Sequence, residues 1–63
     1  MTTIGQNIRK LRKDRGWTQE DLAAKLNLSA QAVSKWESEV TSPDISQVIP
    51  LTALFSVSAD VLF

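Results

Sequence analysis

The stretch Trp17-Thr-Gln-Glu-Asp-Leu-Ala-Ala-Lys-Leu-Asn27-Leu-Ser-Ala-Gln-Ala-Val-Ser-Lys-Trp-Glu37 holds two helix starts separated by one helix stop. Thr18 is a capping hydroxyl, and the Gln19, Glu20 and Asp21 that follow it bring carboxylates to the positive end of a helix. Trp17 and Leu22 stand on either side of that cap, at the two positions that clamp the entering chain as a hydrophobic staple. The helix so opened is expected to reach about Leu26. Asn27 tolerates the left-handed conformation in which helices end, and Ser29 caps a further helix from about Ala30 to Ser38, with Leu28 and Val33 as its staple. The three intervening residues, Asn27, Leu28 and Ser29, are too few for antiparallel packing and suit a sharp corner.

The same signals extend outward. Ile4, Ile8 and Leu11 recur at helical spacing behind Thr3, with Gln6 three residues on as in a capping box, and Gly16 follows, so the first helix is expected at about 4–15. Residues 39–44 read as a loop. Asp44 then caps a fourth helix carrying Ile45, Val48, Ile49, Leu51, Leu54 and Phe55, in which Pro50 lacks the N–H for the Ser46 carbonyl and predicts a kink or an irregular first part. Ser58, flanked by Val57 and Leu62, repeats the cap and staple and opens a fifth helix from Ala59 to the end. Nothing alternates as a strand would, so the expected class is all-α: five short helices in a single domain over 1–63.

Sixty-three residues bury only about 60% of the unfolded chain's surface, which leaves room for one core. Apolar residues make up 43% of the chain, enough for that core without staples, and cysteine and histidine are both absent. Thiol and imidazole catalysis and the usual zinc frameworks are thereby excluded. The carboxylates Glu20, Asp21, Glu37, Glu39, Asp44 and Asp60 show no pairing with a base or metal motif, so neither an enzyme nor a cofactor is expected. No apolar run has the roughly 18 residues of a membrane span, and no basic-then-apolar leader opens the chain; a soluble, intracellular protein is expected. Seven basic and seven acidic residues cancel. Their distribution is uneven, because Arg9, Lys10, Arg12, Lys13 and Arg15 precede Gly16 with only Asp14 against them, an asymmetry that can turn one face toward phosphates.

The 17–37 stretch with Ser42-Pro43-Asp44 behind it, preceded by Leu11-Arg-Lys-Asp-Arg-Gly16 and followed by Leu54-Phe-Ser-Val-Ser-Ala-Asp-Val-Leu62, resembles the phage-repressor and Cro-like helix-turn-helix family, also called the XRE family. The resemblance covers nearly the whole chain. It implies a lambda-repressor-like domain whose third helix enters the major groove of double-stranded DNA while the second rests across the backbone, with two copies on a roughly palindromic operator. It also implies a bacterial or phage-type transcriptional regulator, more often a repressor, working in the cytoplasm at the nucleoid. Three positions depart from the family pattern: Asn27 in the turn and Glu39 after the third helix, where glycine is frequent, and Ala30, where a polar residue is frequent. At Glu39 either the helix extends or the residue is strained, and its charge opposes phosphate contact.

Within the third helix, Val33 and Trp36 share one face and Gln31, Ser34, Lys35 and Ser38 the other. Glutamine can grip adenine N6 and N7, and lysine can donate to guanine O6 and N7, so Gln31 and Lys35 are the principal candidates for base contact. Ser34 lies between them, and the Ala30 methyl can meet a thymine methyl. The plainer account is an amphipathic helix exposing its polar side. Gln19 resembles the family's phosphate-clamping glutamine at a helix N-terminus; Ser38 and Thr41 are weaker phosphate candidates. Arg12 and Glu37 each lie on the apolar stripe of their helix, and the resemblance pairs them as a mostly buried ion pair joining the first and third helices. Trp17 and Trp36 could stack on unpaired bases, but their staple and stripe positions favour the core. The apolar end, Val61, Leu62 and Phe63, suggests a dimer contact or continuation into a further domain. The competing reading, favoured by zero net charge, is a protein-interaction or antitoxin-like module of the same fold with weak or no DNA binding.

Overall fold

The computed structural model describes residues 3–63. All its regular structure is helical: α1 (Ile4–Asp14), α2 (Gln19–Leu26), α3 (Ala30–Glu37), α4 (Ile45–Phe55) and α5 (Ala59–Leu62). Four of the five helices open on a side-chain cap. Gln6 N donates to Thr3 Oγ1 at 3.1 Å while Thr3 N donates to Gln6 Oε1 at 3.0 Å, and Thr18 and Asp21 make the same reciprocal pair at 3.0 and 2.9 Å. Ser29 accepts from Ala32 N, and Asp44 from Ser46 N. Ser58 departs from the expected pattern. It holds the N-cap position of α5 without a side-chain bond, and Val61 N donates to the Ser58 carbonyl, at 3.1 Å.

The helix ends share one device. Gly16, Asn27, Glu39 and Ser56 all have positive φ, at 72°, 60°, 65° and 56°, and the residue after each donates its N–H back over the last turn: Trp17 to Arg12, Leu28 to Ala23, Val40 to Lys35, Val57 to Thr52, at 2.8–3.1 Å. This bond from C″ satisfies a carbonyl that the helix leaves open. Three of the closures run directly into the next start, as Gly16-Trp17-Thr18, Asn27-Leu28-Ser29 and Ser56-Val57-Ser58, so each corner has a left-handed residue, an apolar plug and an N-cap. The plugs Trp17, Leu28 and Val57 pack against the core. At the end of α3 the open alternative is settled: the helix does not extend, and Glu39 carries the left-handed strain.

Ile8, Leu22, Ala23, Val33, Trp36, Val48, Leu51, Phe55 and Leu62 form the core. α3 packs against both α1 and α2, and α5 closes the structure against α1 and α4, where Asn7 Nδ2 donates to the Leu62 carbonyl at 2.8 Å. Gly5 explains how α1 and α3 come so close. A Cβ there would stand 2.1 Å from the Trp36 carbonyl oxygen, so no other residue fits without moving a helix. Pro50 sits within α4, which nonetheless runs from Ile45 to Phe55; the Ser46 carbonyl, which Pro50 cannot serve, belongs to an exposed residue of the first turn and is open to solvent. No helix among the described residues is long and apolar enough to cross a membrane.

Candidate nucleic-acid interface

α3 is held on one side and free on the other. Val33 and Trp36 are buried in the core, whereas Gln31, Ser34, Lys35 and Ser38 are exposed along the outer face. Ala30, at the first position of the helix, is half-buried and packs against the core. Thr41 is exposed just beyond, where its own N–H and that of Val40 both reach the Lys35 carbonyl. Ser38 Oγ donates to the same carbonyl at 3.3 Å, which leaves its lone pairs, but not its proton, turned to an external partner.

A buried ion pair fixes the angle at which this face is shown. Arg12 Nε donates to Glu37 Oε2 at 2.7 Å and Arg12 Nη2 to Glu37 Oε1 at 2.9 Å, with side-chain exposures of 10% and 5%. Arg12 Nη1 donates to the Trp17 carbonyl at 2.8 Å, tying the same guanidinium to the entry of α2. The hydrogen bonds that Arg12 donates to Glu37 raise the Arg12 pKa, against the opposing effect of desolvation and with help from the charge of Glu37. A planar fork meeting a carboxylate on two parallel bonds sets orientation as well as distance. Thus one side chain joins α1, α3 and the corner before α2.

Gln19 enters this network in a way its sequence position does not reveal. Its Nε2 donates to Glu37 Oε1 at 3.2 Å, so the side chain is seated beside the ion pair rather than loose in solvent. Around it Arg9, Arg12, Gln19, Ser34, Glu37 and Ser38 line an open depression where α1, α2 and α3 meet. At the start of α2, Asp21 accepts from the backbone and side chain of Thr18, and these bonds hold its carboxyl below the usual aspartate range.

The structure also sorts the cations of α1. Lys10 pairs with Asp14 at 3.1 Å on an exposed face. Arg15 donates through Nη2 to the Phe55 carbonyl, its guanidinium carbon 5.8 Å from the Phe55 ring centroid. Arg9 alone of these three borders the depression. The indoles are committed elsewhere: Trp36 is buried, and Trp17 stacks on Phe55 at 5.8 Å with Lys25 Nζ 4.8 Å from its own ring centroid.

Comparison with known proteins agrees with this architecture. The chain is 32% identical over 60 residues to the transcriptional regulator ImmR of Bacillus subtilis, covering 95% of this chain and 47% of that protein, so it spans about half of that relative's length. It superposes on the P22 c2 repressor in complex with synthetic operator 9T at a TM-score of 0.92 and 28% identity, covering 100% of this chain and 96% of that one. SinR, the master regulator for biofilm formation, in complex with DNA, superposes at 0.85 and 30% identity, over 95% of this chain and 97% of that one. The helix-turn-helix family model matches residues 8–62, taking in the corner at Asn27, the exposed face of α3 and the last helix. The chain therefore belongs to the phage-repressor and Cro-like helix-turn-helix family.

Proposed function

We propose that this domain binds double-stranded DNA sequence-specifically for a transcriptional regulator, with α3 in the major groove and α2 across the adjacent backbone. One observation carries the reading: Gln31, Ser34, Lys35 and Ser38 are exposed together on a helix whose opposite face is locked in the core. A groove about 12 Å wide admits one helix, and its base edges are read by such amide and ammonium groups. Gln31 bonds an adenine edge, Lys35 a guanine, and Ser34 and the Ala30 methyl contribute beside them. Gln19 and Thr41 meet phosphates, as does Ser38 once its hydroxyl turns away from the Lys35 carbonyl, and such contacts fix register without reading sequence. The relatives' descriptions support this, since the P22 c2 repressor and SinR are each described in complex with operator or DNA.

Two copies on a roughly palindromic site would place two such helices one turn of duplex apart, about 34 Å. The likeness to phage repressors favours repression, in the bacterial cytoplasm at the nucleoid. Of the apolar end, Leu62 is buried while Val61 and Phe63 remain 52% and 63% exposed, so only the latter two are free for a contact between copies. Selection from a random duplex pool at low salt tests the function. Enrichment of a palindrome, with log affinity falling linearly in log salt, is the expected result; no enriched site and no salt slope would overturn it in favour of the protein-interaction reading, with which the balanced net charge of the chain agrees.

A further inference from the structure

α4 alone among the five described helices has no charged residue; α1, α2, α3 and α5 each carry at least one. Its inner stripe, Val48, Leu51 and Phe55, is buried in the core. The outer stripe is apolar as well: Ile45 and Ile49 are 73% and 67% exposed, and Pro50 and Ala53 are exposed on the same helix. The two hydroxyls of α4 are bonded locally, Ser46 to Asp44 and Thr52 to the Ile49 carbonyl. A helix that is apolar on every side is normally covered on every side. The loop that feeds α4 repeats the signal. Three of the four helix closures pack their apolar plug against the core, through Trp17, Leu28 and Val57, but the fourth plug, Val40, is 70% exposed.

We propose that the outer face of α4, with Val40 at its approach, is the surface on which a second copy of this chain docks. The inference rests on the DNA-binding reading and names which surface joins its two copies. Charge points to a copy rather than to an unlike protein. On a two-fold interface each patch faces itself, so a charge there meets like charge, whereas an uncharged face matches its own copy. The whole chain carries no net charge either, and two copies approach without overall repulsion. Area sets the strength. Side chains of this size and exposure offer roughly 400 Å² per copy, the scale of an interaction patch. The sum for two copies, about 800 Å², is short of the roughly 1,200–2,000 Å² of a stable complex. The copies therefore part in dilute solution and join when neighbouring half-sites hold them side by side, at a local concentration in the millimolar range.

The experiment compares the wild type, Ile45→Gln with Ile49→Gln, and Val61→Gln with Phe63→Gln. Each is followed by sedimentation equilibrium without DNA and by titration of duplexes bearing the full selected site or one half of it. Both isoleucines face solvent and lie off the reading helix, so the α4 variant should keep the melting temperature and the half-site affinity. The wild type is expected to move from monomer toward dimer only as its concentration nears the millimolar range, and to fill the full site cooperatively, the second copy binding about tenfold more tightly. The α4 variant should stay monomeric and fill the two halves independently. Cooperation kept by the α4 variant, or lost only in the variant at Val61 and Phe63, would overturn the proposal. So would a wild type that stays monomeric and fills both halves independently, which would leave the face to an unlike protein. A wild type that associates through α4 yet shows no salt-dependent duplex binding would instead sink the DNA-binding reading and leave the interface standing.

Discussion

Removing the Arg12 side chain should come close to unfolding the domain. Arg12→Ala leaves the Glu37 carboxylate, whose side chain is 5% exposed, with the Gln19 amide at 3.2 Å as its remaining partner, and strips the Trp17 carbonyl of its donor. Deleting one partner of a buried pair costs about 3–5 kcal/mol, mostly for the charge left behind. At 0.05–0.15 kcal/mol per residue, a chain of this size has roughly 3–9 kcal/mol in total. One kcal/mol shifts the melting temperature of a small domain by about 4–8 °C, so a fall of about 15–30 °C is expected in thermal melts followed by circular dichroism. The pair itself is not expected to stabilise much over an apolar filling. Arg12→Met combined with Glu37→Leu should therefore recover most of the loss, yet widen the spread of α3 orientations and weaken DNA binding. The raised Arg12 pKa works in the same direction at every ordinary pH: its contribution is complete below the usual arginine range and lost only as pH climbs through the raised value. An Arg12→Ala protein melting within a few degrees of the wild type would refute the reasoning, as would a double variant no more stable than the single one.

Other outcomes follow from single contacts. Gly5→Ala drives a methyl into the Trp36 carbonyl and should cost about 3 kcal/mol as overpacking against backbone, seen in urea denaturation; a neutral result would mean that α1 and α3 part freely. Glu39→Gly removes a left-handed glutamate at φ 65° and should stabilise by about 1 kcal/mol while tightening DNA binding through the lost negative charge, read by melting and by titration of duplex. Asp21→Ala should melt below the wild type at neutral pH. Because the Asp21 pKa is lowered in the fold, its stabilisation is present above the ordinary aspartate value of about 3.9 and disappears as pH falls through the lowered one, so the gap must close on acidification; widening would reverse the sign. Gln31→Ala and Lys35→Ala should each relax base preference at one position, by about 1–3 kcal/mol of discrimination, whereas Gln19→Ala should weaken all duplexes alike in competition assays.

Much of this structure is written in short-range signals. Thr3, Thr18 and Ser29 cap the helices they precede, and Val33 and Trp36 separate from Gln31, Ser34 and Lys35 by spacing alone, because caps and helical faces depend on residues within one turn of each other. The sequence by itself thus determined the class, the corner at Asn27 and the outward face of α3. What it left open was settled between helices. Ser56 has no glycine to announce its left-handed turn, Ser58 looks like its sister caps yet makes no cap bond, and Gly5 appears as an ordinary first-turn residue until the Trp36 carbonyl is brought against it. Likewise, Arg9 is one of five cations by sequence, and only the meeting of α1, α2 and α3 sets it beside Gln19 and Ser34. The physical reason is range: local pattern fixes which way a side chain leaves its own helix, and the packing angle of neighbouring helices decides what that side chain then meets.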